Sequence, residues 1–215
     1  MSSTVGKWEM DELRLIVGAM VILSGATALL VVMPYLLLKG QQPPPGLKPY
    51  TAEQLAGRQV YIASGCLYCH TQQPRDIAQA PDALRGWGRA PVAADYAYDT
   101  PHLLGTMRTG PDLLNIGARQ PSKDWHLGHL YQPRAYTPGS IMPAYPYLFE
   151  VRQGAALAGD TVVALPPAYS RPGQVVVAKP EALALVAYLL SLDRTYPALT
   201  PLPVAAPAAV KTTGP

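Results

Sequence analysis

The sequence predicts a mainly α-helical chain: a single N-terminal transmembrane helix followed by a helical domain with long loops. Three observations predict it. Residues 15–38 contain no charged side chain, and two later segments, 51–63 and 181–192, repeat apolar residues at helical spacing. Between them lie long stretches rich in proline and glycine with no sustained periodicity. The composition agrees, because 14% charged and 49% apolar residues with 24 prolines suit a membrane segment joined to a loop-rich globular part.

The uncharged stretch 15–38 would make roughly 36 Å of helix, enough to cross a hydrocarbon core of about 30 Å with some tilt. A cleaved signal sequence has an apolar core of about 7–15 residues. Residues 15–38 exceed that, and no Ala-x-Ala site precedes Gln41, so residues 1–40 are expected to be a cytoplasmic N-terminus and an uncleaved anchor. Lys7 and Arg14 on one side face Lys39 and Lys48 on the other, so the positive-inside rule does not set the orientation. Gly18, Gly25 and Ala28, with Ser24 and Thr27 nearby, form a small-residue stripe suited to a second transmembrane helix; an ordinary lipid-facing helix is the plainer alternative. Pro34 removes a backbone donor and is expected to disturb the helix one turn back, while Trp8 and Tyr35 suit the two membrane interfaces.

Residues 41–50 begin Gln-Gln-Pro-Pro-Pro and predict a semi-rigid polyproline II spacer ahead of a domain spanning 51–196. Thr51 with Gln54 forms a capping box, which opens a helix through about Ala63 with Leu55, Val60 and Tyr61 on its apolar side. Gly57 on that helix would let another come close. Residues 122–131 predict a short helix capped by Ser122 and carrying His126 and His129. The segment 181–192 starts after Pro180 and repeats Leu183, Val186, Ala187 and Leu190, a face widened by Tyr188 and Leu189. Residues 197–215 are rich in proline and alanine and read as a disordered tail.

Gly65-Cys66-Leu67-Tyr68-Cys69-His70 holds both cysteines of the chain in the Cys-x-x-Cys-His order of covalent haem attachment. Two thiols three positions apart can reach the two vinyl groups of one porphyrin, and the following imidazole then lies under the iron. A structural zinc site would need further Cys or His ligands, and a thioredoxin-like dithiol would need a βαβ setting that the flanks do not show. One covalent haem c is therefore the expected cofactor. A haem would also supply apolar bulk to a chain with one phenylalanine and 13 tyrosines, whose hydroxyls need partners when buried. Because such attachment is completed on the oxidising side of a bacterial inner membrane, the domain is expected in the periplasm and the N-terminus in the cytoplasm.

The formal charge of +3 lies outside the first 40 residues, where Lys7, Arg14 and Lys39 balance Glu9, Asp11 and Glu12. No basic run or aromatic-interleaved basic patch occurs, which argues against nucleic-acid binding.

A helix before the haem motif, Gly110-Pro111-Asp112-Leu113 after it, a Met-Pro pair and a terminal Ala-Leu-Val-Ala-Tyr-Leu helix together resemble class I cytochromes c. More narrowly, Arg108-Thr109-Gly110-Pro111-Asp112-Leu113, Asp124-Trp125-His126-Leu127-Gly128-His129-Leu130, Pro133-Arg134 and Ser140-Ile141-Met142-Pro143-Ala144-Tyr145 resemble the mono-haem subunit II of cbb3-type cytochrome c oxidases. The likeness runs from the anchor to about Phe149. It departs after the haem motif, where Thr71-Gln72-Gln73 stands in place of the family's usual Ser-Gln-Met, and again over 150–180 and the tail.

The resemblance implies a membrane-anchored cytochrome c that passes electrons to a haem–copper catalytic subunit reducing oxygen, alongside other cytochrome c subunits. It implies His70 and Met142 as axial ligands, with the Pro111 carbonyl orienting His70. Met107 is four residues before Pro111 and would stay on the proximal side, whereas Met142 lies in a proline-bounded loop that can reach the distal face. Arg108, Arg119 and Trp125 become partners for the haem propionates, with ordinary surface arginine as the plainer alternative. His102, His126 and His129 are the alternative distal ligands; the resemblance instead gives His126 and His129 packing or interface roles. With both axial positions filled, the chain carries electrons and is not itself an enzyme. The alternatives are the small cytochrome c subunit of a nitric oxide reductase, a stand-alone anchored shuttle, and a haem sensor with an exchangeable ligand position.

Overall fold

The computed structural model describes residues 12–40 and 42–197, so Lys7, Trp8, Gln41 and the tail beyond 197 lie outside the described residues. The chain forms two compact units that divide after Gln42.

In the first unit, α1 (Glu12–Thr27), a π-helical turn (Ala28–Val32) and α2 (Met33–Leu38) run on as one helix. It spans Glu12–Leu38, 27 residues with a mean hydropathy of 2.6, long and apolar enough to cross a membrane. The π turn has a local cause in Pro34. Its ring has no N–H and collides with the carbonyl four residues back, so the ladder slips by one residue and the Met33 N–H bonds to the Ala28 carbonyl instead. The helix absorbs the proline without stopping. A Cβ placed on Gly18 or Gly25 would meet nothing within 4 Å, which leaves the small-residue stripe as open surface on this unit.

In the second unit the first residues read as a semi-rigid spacer are packed down. Pro44 and Leu47 are buried in it, closed into a turn by the Leu47 N–H donating to the Pro44 carbonyl at 2.9 Å, and Tyr50 packs on Tyr188. Residues 43–50 are thus part of the globular body.

Thr51 caps α3 (Ala52–Ala63) through the reciprocal capping box with Gln54. α3 crosses α7 (Pro180–Ser191), and the crossing is close because residue 57 is glycine: a Cβ there would lie 1.8 Å from the Ala184 carbonyl oxygen. Tyr61 meets Tyr188 edge-on across the same contact, with ring centroids 5.6 Å apart. The buried side of α3 is Gly57, Arg58 and Tyr61, and Leu55 is exposed. The α7 face also shifts from the expected one. Ala182, Ala184, Leu185, Val186, Tyr188 and Leu189 are buried while Leu183, Ala187 and Leu190 are only half-buried, because α7 is enclosed on two sides, by α3 and by the short helices α4 (Ile116–Arg119) and α5 (Lys123–Tyr131).

A further short helix, α6 (Pro133–Tyr136), packs on α5. Ser122 Oγ accepts from the Trp125 N–H and starts α5; Pro133 interrupts the backbone donors and starts α6. A strand, β1 (Phe149–Gln153), then pairs antiparallel with β2 (Gln174–Ala178), from Phe149 opposite Ala178 to Gln153 opposite Gln174. Phe149, Val176 and Ala178 turn into the common core with Leu127, Leu130, Leu185 and Leu192.

The long stretch between the haem motif and α4 has one 3₁₀ turn, Ala93–Tyr96, and otherwise hangs on buried carboxylates. Asp99 takes Arg58 Nε at 3.4 Å and Arg194 Nη2 at 3.8 Å. Asp95 takes a two-pronged Arg89 at 2.7 and 2.9 Å, the Val92 N–H at 2.8 Å and the Tyr196 hydroxyl at 3.0 Å. Asp82 accepts from Arg108 and from the Arg75 N–H. Charge-assisted bonds replace the backbone ladders that this segment lacks.

Candidate haem site

The motif follows directly from the end of α3. Residues Cys66–Tyr68 form a 3₁₀ turn whose three-residue period brings Cys66 and Cys69 to the same side. The Cys69 and His70 N–H groups both donate to the Cys66 carbonyl, at 3.2 and 3.0 Å, so the turn is closed before the imidazole leaves it. Cys66 and Cys69 are not joined to each other in a disulfide.

The imidazole is held from one side. His70 Nδ1 lies 2.7 Å from the Pro111 carbonyl oxygen. A carbonyl can only accept, so Nδ1 carries the proton and Nε2 presents its lone pair away from Pro111. Gly110 makes room for the ring, since a Cβ there would come within 2.3 Å of Cε1 and 2.7 Å of Nδ1. The strip 110–113 is fastened to the motif by the Gly110 N–H on the Cys69 carbonyl and the Leu113 N–H on the Thr71 carbonyl, both at 2.8 Å. Asp112, fully buried, completes it by accepting from Thr71 Oγ1 at 2.6 Å, the Gln73 N–H at 2.7 Å and the Leu114 N–H at 2.9 Å.

Cys66, Cys69, His70, Gly110, Pro111 and Met142 line one cavity of about 370 Å³. Its remaining walls are mainly Leu113, Ile116, Leu130, Ile141, Pro143, Tyr145 and Leu189, with Trp125, His126 and His129 from α5. Met142 arrives on the segment after α6, steadied by its N–H on Ser140 Oγ at 3.2 Å and by the Tyr145 N–H on the Leu130 carbonyl at 2.9 Å.

Burial sets the protonation states. It pushes the Cys66 thiol up to about 11. It pushes His70 down, against the Pro111 carbonyl and the Asp112 charge that favour the cation, and it pushes His126 down against the Gln120 carbonyl. His129 falls to about 4, first through burial and then through the neighbouring His126 and His70.

An iron porphyrin fits these residues. The cavity offers two thiols, an imidazole lone pair and a thioether in an apolar shell of the size that takes a cofactor. Two buried donor or acceptor atoms at the site, Arg119 Nη1 and His129 Nδ1, have no hydrogen-bond partner among the described residues. Among those residues no group of three or more His, Cys, Asp or Glu could hold a metal ion, so the geometry gives the zinc reading no closed site.

The family model described as "Cytochrome C oxidase, mono-heme subunit/FixO" matches residues 6–168. The chain belongs to this family. It is accordingly a mono-haem cytochrome c subunit of a cbb3-type oxidase, with one N-terminal apolar helix compatible with a membrane anchor. No individually curated protein matches the chain. The match ends at residue 168, between β1 and β2, so the second strand and α7 lie beyond it.

Of the residues singled out from sequence, Cys66, Cys69, His70, Pro111, Met142 and Trp125 share the cavity. Arg119 stands beside it, with Nη2 donating to the Asp112 carbonyl at 2.9 Å. Arg108 does not line it. Its guanidinium is committed to Asp82 and to the Gln73 carbonyl and lies over the Trp87 ring, 5.8 Å from the centroid. The strong pull of a fully buried Asp82 draws Arg108 into the loop network. Met107 is exposed and His102 packs on Tyr96 away from the cavity. Of the histidines open as distal ligands on sequence, His126 and His129 line the cavity and His102 does not, and Gly110, which clears the His70 ring, has no site role in the sequence reading. The Trp125-x-x-x-His129 spacing, which sets both rings on one helix face, was the available signal for His129.

Proposed function

We propose that Cys66 and Cys69 hold one haem c through thioethers, that His70 Nε2 and Met142 Sδ are its axial ligands, and that the domain relays electrons to the haem–copper catalytic subunit of an oxygen-reducing oxidase. The observation that carries this is the meeting of four donors on one cavity with the His70 ring already oriented by Pro111. The bound haem supplies a one-electron carrier, whose potential a Met/His pair sets higher than a bis-His pair would. The chain's own work is positional. Pro111 fixes the His70 tautomer, Gly110 clears its ring, and the Tyr145–Leu130 bond holds the Met142 segment against α5. Arg119 Nη1 and Trp125 are the partners assigned to the haem carboxylates, while Arg108 is not, being bound elsewhere.

Residues 12–38 anchor the chain in a bacterial inner membrane, with the N-terminus cytoplasmic and the haem domain periplasmic. Gly18, Gly25 and Ala28 form the face offered to a transmembrane helix of the same complex. Because Pro43 onward is packed into the globular unit, little chain is left to serve as a swinging tether, which supports a fixed subunit over a lone shuttle.

Size the haem-bearing species after solubilising membranes in mild detergent. The expected result is co-migration with a multi-span haem–copper subunit and further cytochrome c subunits, in a complex that consumes oxygen. The cytochrome running alone from membranes that contain that partner, or a complex that reduces nitric oxide and not oxygen, would contradict it.

A further inference from the structure

We propose that His129 is a latent sixth ligand of the haem iron, held in the cavity to occupy the axial position when Met142 leaves it. This rests on the His70/Met142 reading above.

His129 and Met142 line the same cavity. The segments that carry them are fastened together on both sides of His129. On one side the Gly128 backbone lies so close to the Tyr136 ring that a Cβ would meet its Cζ at 1.9 Å. On the other, the Leu130 carbonyl takes the Tyr145 N–H at 2.9 Å. Met142 lies on the loop between those two tyrosines, so His129 and Met142 belong to one wall.

The imidazole is also kept in a ligand's condition. It stacks flat on Trp125, with centroids 4.5 Å apart and planes 8° from parallel, which holds the ring's orientation. Its Nδ1 is buried with no hydrogen-bond partner among the described residues. A buried, unpartnered ring nitrogen is unfavourable unless the cavity's occupant supplies a partner.

The other histidines lack these features. His126 Nε2 is tied to the Gln120 carbonyl at 2.8 Å, and His102 packs against Tyr96 outside the cavity. The exchange breaks one iron–sulfur bond and forms one iron–nitrogen bond, with no electron transferred and no proton released. The resulting bis-His pair would have a lower potential and would leave no open position for small molecules.

The test compares ferric absorption and electron paramagnetic resonance spectra of the full-length anchored protein in four forms: wild type, Met142→Ala, Met142→Ala/His129→Ala and Met142→Ala/His126→Ala. The expected wild type shows the far-red band of methionine-ligated haem. Met142→Ala loses that band yet stays low-spin, the His129 double variant turns high-spin, and the His126 double variant stays low-spin. Cyanide should bind the His129 double variant at least about tenfold more tightly than Met142→Ala, because the internal ligand leaves less than about a tenth of the iron open. A high-spin Met142→Ala, or a low-spin His129 double variant, overturns the proposal while leaving the Met142 assignment intact. A Met142→Ala protein that keeps the wild-type band overturns the Met142 assignment itself. If Met142→Ala does not accumulate, Met142→Leu, closer in volume, gives the same comparison.

Discussion

His70 presents Nδ1 to the Pro111 carbonyl at 2.7 Å, and the ring can lie there only because the residue before Pro111 has no side chain. A methyl group at position 110 would sit 2.3 Å from His70 Cε1, inside any van der Waals contact. Gly110→Ala should therefore push the ring off the Pro111 carbonyl, with an overpacking cost of about 1–3 kcal/mol. The check is the yield of low-spin holoprotein and its midpoint potential, both expected to fall; a variant with the wild-type spectrum and potential would show that the ring position does not depend on Gly110.

The α3–α7 crossing makes a similar demand with less freedom to yield, since the obstacle is backbone. A Cβ on residue 57 would meet the Ala184 carbonyl oxygen at 1.8 Å. Gly57→Ala should separate the two helices and lower stability by about 1–3 kcal/mol or more. In denaturant melts the midpoint should drop with the slope unchanged; an unchanged midpoint would mean the crossing is looser than described.

Asp99 is 4% exposed and faces two guanidiniums, those of Arg58 and Arg194, that are also buried. Asp99→Asn removes the counter-charge and leaves both cations in a dry setting, at a cost of about 3–5 kcal/mol. The comparison is Asp160→Asn, whose partner Arg152 is more open to water and whose loss should matter much less. Equal thermal shifts in the two variants would contradict the assignment of Asp99 as the fastening of the long loop.

Asp82 and Asp95 give the fold an acid limit. Burial alone would raise both carboxyls, but Arg108 with the Arg75 N–H, and Arg89 with the Val92 N–H and Tyr196, hold them below the ordinary aspartate range. A depressed carboxyl contributes stability that is fully present above its unfolded value and is lost as pH falls through its folded value. Melting temperature should thus fall as pH drops below about 4, the ordinary aspartate value. Asp95→Asn, melted over the same range, should show a shallower fall; an equal slope would assign the acid limit to other groups.

Much of this was legible in the sequence because local chemistry decides it. The Thr51–Gln54 capping box, the Ser122 cap and Pro180 placed three helix starts, and Cys66-x-x-Cys69-His70 placed the site. What was not legible depends on partners far along the chain. Pro43 to Pro45 read as a semi-rigid spacer ahead of the domain, but burial of Pro44 and Leu47 packs them into it. Leu55 read as apolar face, yet the side chain buried there is Arg58, because Asp99, 41 residues on, neutralises it. Arg108 was a candidate for the haem propionates beside the plainer surface-arginine reading, and only the fold shows that buried Asp82 claims it. The strands at Phe149–Gln153 and Gln174–Ala178 are short, with Val175-Val176-Val177 as the sole local hint, and their pairing spans an intervening loop.

The central claim is that Cys66 and Cys69 bind the haem covalently, and the most direct measurement is the mass of the peptide that contains residues 65–70 after acid–organic extraction of the purified protein. The expected result is that peptide carrying one haem, with the colour remaining on the protein and Cys66→Ala or Cys69→Ala lowering or abolishing the holoprotein. Haem released entirely into the organic phase, with the peptide at its unmodified mass, would contradict the claim.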